Sequence, residues 1–142
     1  MAAGSYFIDS NIYLRVIVKD DKRKAEDCEQ LIHKVIKKEL KAATSILVVA
    51  EVAWTLLSFY KLSKGQVAEL LRGIAAIKNL KIKNNENLQI ALDIFTAYNV
   101  KFIDCLLASQ PDIRSGKTAI VSYDRDFDKL GVTRLEPADL IN

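Results

Sequence analysis

Tyr6-Phe7-Ile8-Asp9-Ser10-Asn11 is a short apolar run that ends abruptly in a carboxylate and two turn-forming polar residues. An apolar run of this length, closed by turn formers, reads as a buried strand. A strand this near the N-terminus is usually central in its sheet or next to the centre. In open α/β sheets, functional groups collect just beyond the carboxyl ends of the strands. Asp9 is therefore read as the first piece of a metal site, and the other unusual carboxylates are judged against it.

Downstream, the pattern alternates between helical and strand-like periods. A short helix is expected over 12–18, followed by a solvated charged connection over 19–24. Ala25, Cys28, Leu31, Ile32, Val35 and Ile36 then recur at steps of three and four, with Glu29, Lys34, Lys37 and Lys38 on the other face, which predicts an amphipathic helix. His33 lies off the stripe and is expected in solvent. A brief strand over 40–43 leads to Thr44-Ser45, an N-cap for a helix over 46–58 that is apolar nearly all round. Ser63 can cap a helix carrying Val67, Leu70, Leu71 and Ile74. A strand over 80–83 precedes Asn84-Asn85, read as the cap of a helix bearing Leu88, Ala91, Leu92 and Phe95 that Asn99 ends. A further helix over 102–109 is closed by Pro111 and a loop through Ser115-Gly116. The strand over 118–122, a helical turn over 126–130 and a last strand over 132–135 complete the series. Strands separated by helices predict an α/β fold, with a short parallel sheet of four or five strands flanked by helices.

The chain has 142 residues, which suits one domain over 1–142. Half of them are hydrophobic and 27% charged, an ordinary globular balance that argues against disorder or a disulfide scaffold. Cys28 and Cys105 stand far apart in apolar surroundings and are read as buried free thiols. The most apolar run, 46–57, falls short of the roughly 20 residues that span a bilayer. With no secretory pattern before Asp9, a reducing cytoplasm is the expected location and no membrane partner is expected. The 21 basic and 18 acidic residues give a net charge of only +3. Setting four carboxylates aside for a bound cation leaves 14 acidic groups against 21 basic ones, an excess of seven that favours a polyanionic partner.

Four acids are embedded where acids are costly. Asp9 follows Tyr6-Phe7-Ile8, Glu51 interrupts 46–54, Asp104 interrupts 102–107, and Asp124 follows Ile120-Val121-Ser122-Tyr123. A buried ionised carboxylate must be paired, protonated or bound to metal, and no lysine or arginine occupies these apolar segments. Two of the four end strands and two sit in helices flanking the same sheet edge, so one cluster can hold them all. Oxygen ligands without histidine or cysteine suit Mg²⁺ or Mn²⁺. Such a site is well matched to displacement at phosphorus. Each acid also has a plainer reading: Asp9 and Asp124 as turn or cap residues, Glu51 as a glutamate turned to water, Asp104 as a cap. All four plain readings would have to hold together. Asp124-Arg125-Asp126-Phe127-Asp128 is not a calcium loop, because Lys129 stands where that loop needs glycine and Leu135 where it needs glutamate. Asp126 is left as a cap and a lesser candidate ligand. Trp54 is read as core or as a subunit contact.

Phe7-Ile8-Asp9-Ser10-Asn11, Thr44-Ser45 through Ala50-Glu51-Val52, Val100 through Ala108 around Asp104, and Val121-Ser122-Tyr123-Asp124-Arg125-Asp126-Phe127 together resemble the PIN domain, the nuclease fold of VapC-type toxins. The resemblance covers almost the whole chain. It implies that Asp9, Glu51, Asp104 and Asp124 hold one or two Mg²⁺ or Mn²⁺ ions, with Asn11 and Ser122 supporting them or touching substrate. It also implies endoribonuclease activity that leaves a 5′-phosphate, a homodimer, and a cognate antitoxin covering the active site when the protein is a toxin. Lys101, Arg15 and Arg125 lie near the acids in sequence and are candidate phosphate contacts.

Rival readings are a housekeeping RNA-processing nuclease, an idle RNA-binding or assembly module on the same fold, and a phosphoaspartate enzyme or receiver domain. The phosphatase form of the last wants a second Asp where this chain has Asn11, and the receiver form leaves Glu51 unexplained.

Overall fold

Strand-forming segments fall at β1 (Ser5–Ile8), β2 (Ala42–Thr44), β3 (Leu80–Ile82), β4 (Thr118–Val121) and β5 (Arg134–Leu135) in a computed structural model that describes residues 3–142. They pair in parallel in the spatial order β3-β2-β1-β4-β5. The N-terminal strand is therefore central. Tyr6 pairs with Ala42 on one side and Ala119 on the other.

The connections are the helices α1 (Ser10–Val18), α2 (Lys22–Ile36), α3 (Ile46–Ser58), α4 (Lys64–Ala75), α5 (Leu88–Ala97), α6 (Phe102–Ala108) and α7 (Pro111–Arg114), with a 3₁₀ helix at Arg125–Leu130 and a final short helix, α8 (Ala138–Ile141). The chain steps from β1 to β2 to β3 in one direction, then returns past β1 to lay down β4 and β5. With right-handed crossovers, α1 to α4 cover one face and α5 to α7 the other. Strand order thus reverses between β1 and β4, which is where an open parallel sheet leaves a crevice at its carboxyl edge.

Several boundaries differ from the sequence reading, each for a local reason. Asp9 caps α1 directly, so that helix begins at Ser10 rather than Ile12. The Oδ1 of Asp21 accepts from the Lys24 amide at 3.1 Å, which turns Lys22, Arg23 and Lys24 of the charged segment into the first turn of α2. Leu40 is held in the turn closing α2 by its amide bond to the Lys34 carbonyl, 3.3 Å, and the strand waits until Ala42. Asn87, not Asn84 or Asn85, caps α5 by accepting from the Ile90 amide; Asn84 instead accepts from the Ile46 amide at the start of α3. Tyr98 rather than Asn99 ends α5, Pro111 starts a short helix where a loop was expected, and β5 is only two residues long.

The core is Phe7, Ile8, Ile12, Leu31, Val35, Val48, Val52, Leu56, Leu107, Ile113, Ile120 and Phe127 and their neighbours. Cys28 and Cys105 are buried free thiols and His33 is exposed, as expected. Val48, Val52 and Leu56 form the inward stripe of α3. Trp54, on the opposite side, is 72% exposed and is no part of the core. Among the described residues no helix is long and apolar enough to cross a membrane.

Candidate active site

The crevice between β1 and β4 receives Asp9 and Asp124 from the strand ends, Asp104 from the first turn of α6, and Glu51 from α3. Asp9 is 3% exposed and Asp104 2% exposed. Glu51 and Asp124 are partly buried.

Asp9 is held by a ring of donors. Its Oδ1 accepts from the Ser10 amide at 2.8 Å, and its Oδ2 accepts from the Ser122 hydroxyl at 2.6 Å and the Asn11 Nδ2 at 3.3 Å. Asn11 also donates to Ser122 Oγ at 3.0 Å and accepts from the Tyr123 amide at 3.2 Å, so it stitches α1 to the end of β4. The plainer reading of Asp9 as a cap is thus correct as geometry, and so is that of Asp124, whose Oδ1 accepts from the Asp126 amide at 2.9 Å. A capping carboxylate keeps lone pairs to spare, so capping does not remove it from the acidic crevice. Asp126, by contrast, makes no capping hydrogen bond among the described residues.

Asp104 differs. Lys101 occupies the N-cap position of α6 without a side-chain cap bond, and Asp104 projects from the first turn with its Oδ2 buried and unpartnered. Oxygen atoms of Asp104, Asp124 and Asp126 lie within 4.8 Å of one another. This trio brings in Asp126, read from the sequence as a cap and only a lesser candidate ligand, rather than Asp9 or Glu51. Asp126 also pairs with Lys129 at 3.1 Å.

Burial and charge crowding act on Asp9, Asp104 and Lys101. Burial, reinforced by Glu51 and Asp124 against the hydrogen bonds from Ser122 and Ser10, pushes Asp9 from the usual 3.8 up to about 6. Burial pushes Asp104 up to about 7; Lys101 opposes this, and Asp124, Asp9 and Glu51 add to it. Partial burial pulls Lys101 down, yet Asp104, Asp124, Glu51 and Asp9 outweigh it and hold this ammonium above its ordinary range. All four sequence-selected acids thus share one electrostatic environment. Carboxylate oxygens alone, one of them buried without a hydrogen-bond donor, fit a hard divalent cation and not zinc or copper.

Three further residues shape the crevice without having been singled out. Ser10 donates to Glu51 Oε1 at 2.6 Å and so orients the only acid that comes from α3. Thr44 donates to the Ile8 carbonyl at 2.9 Å, fixing the end of β1. Arg134 donates to the Ser122 carbonyl at 3.0 Å while pairing with Asp128 and Glu136, which steadies the loop after β4. Ser10 and Thr44 had a signal, each being a hydroxyl beside a strand end; Arg134 had none, because its partner is a backbone atom 12 residues away. Of the candidate phosphate contacts, Lys101 reaches Asp124 at 3.8 Å, whereas Arg15 pairs with Asp20 at 3.1 Å and lies over the Tyr123 ring. Arg125 is exposed at the start of the 3₁₀ helix.

Residues 6–132 match the model of the PIN domain family, and the chain belongs to that family. Its fold is that of VapC-type members. The VapBC2 complex of Rickettsia felis, solved bound to a DNA fragment from its promoter, is similar over 92% of this chain and 97% of its own, with 19% identity and a TM-score of 0.65. PAE2754 of Pyrobaculum aerophilum is similar over 99% of this chain and 96% of its own, at 17% identity and a TM-score of 0.69. VapC20 of Mycobacterium tuberculosis, described as a sarcin-ricin loop cleaving toxin, is similar over 91% and 97%, at 15% identity and a TM-score of 0.62. No curated protein sequence matches this chain.

Proposed function

We propose that the protein is a Mg²⁺- or Mn²⁺-dependent endoribonuclease that hydrolyses RNA phosphodiester bonds and serves as the toxin of a VapBC-type pair. The observation that carries this reading is the buried, unpartnered Oδ2 of Asp104 beside Asp124 and Asp126, in a crevice that Asp9 and Glu51 also charge. Membership of the PIN family and the likeness to VapC folds support it.

Asp104 and Asp124 would be the central metal ligands, with Asp9 and Glu51 completing the set and Asp126 able to contribute. A divalent ion held there would lower the pKa of a bound water and neutralise charge on the phosphoryl oxygens. The chain's own residues do the rest. Ser122, Asn11 and the Ser10 amide hold Asp9 oriented, and Ser10 holds Glu51 through its hydroxyl. Basic groups outside the crevice draw the RNA strand. A cognate antitoxin and a second copy of the chain are the protein partners this reading calls for, in a cytoplasmic setting.

The test is a calorimetric Mn²⁺ titration of the parent and of an Asp9→Asn/Asp104→Asn double variant, followed by incubation with structured and single-stranded RNA. Saturable binding with thermal stabilisation and RNA cleavage in the parent, all lost in the variant, is the expected result. Metal binding without cleavage of any RNA would favour an idle RNA-binding module; no metal response would make the acids structural.

A further inference from the structure

Among the described residues, Lys101 is the cation that forms an ion pair with one of the four acids Asp9, Glu51, Asp104 and Asp124. Its ammonium lies 3.8 Å from Asp124 Oδ2, at the mouth of the crevice, and its charge environment is set by Asp104, Asp124, Glu51 and Asp9 together. It is the extended residue at the N-cap of α6, three positions before Asp104 in the first turn of that helix. The Asp104 amide closes that turn on the Lys101 carbonyl at 3.1 Å, so the backbones of acid and base move as one. The lysine side chain is nevertheless 62% exposed, against 25% for Asp124, and so its head can reach outward from the rim.

The charge balance of the crevice gives this cation a task. Four carboxylates and one divalent ion leave two negative charges, and a phosphodiester approaching them meets repulsion. One ammonium at the mouth halves that excess and offers a donor to a non-bridging phosphoryl oxygen. The other nearby cations are engaged or turned away: Arg15 is bound to Asp20 and packs on Tyr123, Lys129 is paired at 3.1 Å with Asp126 rather than with Asp104 or Asp124, and Arg125 is exposed on the 3₁₀ helix.

We propose that Lys101 binds the phosphodiester at the scissile position, exchanging its contact with Asp124 for one with a non-bridging oxygen of the RNA backbone. The proposal rests on the nuclease reading and deepens it: Lys101 is then a catalytic residue that contacts substrate, and not a metal ligand or a fold-stabilising ion pair.

Lys101→Met and Lys101→Arg separate these roles. Mn²⁺ affinity is measured first, by calorimetry, on the parent and both variants. Loss of a competing ammonium should leave Lys101→Met binding Mn²⁺ as tightly as the parent or up to about fivefold more tightly, the range of an exposed ion pair. Binding of a labelled single-stranded RNA in Ca²⁺ is measured next, by anisotropy across a salt series. Lys101→Met should bind it about tenfold more weakly, with a shallower salt slope, and Lys101→Arg should recover most of the loss. In Mn²⁺, cleavage by Lys101→Met should fall by about a hundredfold or more, and Lys101→Arg should again recover part. Unchanged RNA binding in Lys101→Met overturns the proposal, as does loss of Mn²⁺ affinity alongside activity, which would make Lys101 a structural support of the acids. If the parent cleaves no RNA, the nuclease reading fails by itself, and the anisotropy series still decides whether Lys101 binds a phosphodiester.

Discussion

Ser122 donates its hydroxyl to Asp9 Oδ2 at 2.6 Å, joining two residues 113 positions apart at the ends of adjacent strands. The same oxygen accepts from Asn11 Nδ2 and from the Asp124 amide, both at 3.0 Å, so one buried hydroxyl organises both strand-end acids. Removing it should leave Asp9 with one good donor fewer and Asn11 held only by Asp9 and the Tyr123 amide. Ser122→Ala is expected to destabilise the protein by about 1–3 kcal/mol, the range for a buried hydrogen bond to a charged group. It should also raise the Asp9 pKa further, because the lost bond favoured the ionised form. Denaturant unfolding and carboxylate NMR titration measure the two effects; an unmoved Asp9 titration would mean that the hydroxyl does not stabilise the charge.

The metal-free protein should become less stable as pH rises through the weakly acid range, opposite to the usual behaviour of a salt-bridged carboxylate. Asp9 titrates near 6 in the native state against 3.8 ordinarily, so between those values the native state holds a proton that the unfolded chain has released. Stability from this group is therefore full below about pH 4, falls until about pH 6 and is flat above. Asp104, pushed to about 7, extends the fall. A shift of two units for the deeply buried Asp9 corresponds to about 3 kcal/mol. Asp9→Asn removes its share, and the difference between parent and variant in unfolding free energy, measured in EDTA from pH 4 to 8, should widen in the variant's favour. Identical pH slopes would show that Asp9 is not held protonated.

Metal binding should rank the acids by their place in the crevice. Asp104 has a free buried oxygen and Asp126 has Lys129 as an alternative partner. Asp104→Asn is expected to weaken Mn²⁺ by at least about a hundredfold at pH 8, and Asp126→Asn by less than about tenfold. Affinity in the parent should rise between pH 5 and pH 8, since Asp9 and Asp104 must give up their protons to ligate. Calorimetry at the two pH values checks both statements, and equal losses in the two variants would place Asp126 among the principal ligands.

The residues that sequence made legible are those whose burial contradicts their chemistry. Asp9, Glu51 and Asp104 announced themselves as charges inside apolar runs, and β1 proved central because the chain builds outward from it in both directions. Boundaries were less legible, because caps compete locally: Asn84, Asn85 and Asn87 all offer an amide, and only the docking of Asn84 on the start of α3 leaves Asn87 to cap α5. Asp126 was undervalued for a similar reason. Its role as cap was inferred from spacing, whereas Asp124 accepts that bond and frees Asp126 to face Asp104. Arg134 was invisible, since a bond to a backbone carbonyl leaves no trace in the pattern of side chains.

The outward face of α3 makes the last prediction. Ile46, Ala50, Trp54 and Leu57 follow one another at helical steps opposite the buried stripe, and Ile46, Trp54 and Leu57 are 55%, 72% and 42% exposed. Phe59, just beyond the helix, is 75% exposed. A helix apolar on both sides is suited to burial on both sides, and a contiguous apolar patch carrying an exposed Trp is the usual centre of a protein contact. A homodimer through this face is expected. Trp54→Glu places a charge at its centre while touching little of the core, so the fold should change in stability by no more than about 0.5 kcal/mol. Sedimentation velocity should find the parent at twice the chain mass and Trp54→Glu at the chain mass. A variant that still sediments as a dimer would move the subunit contact away from α3.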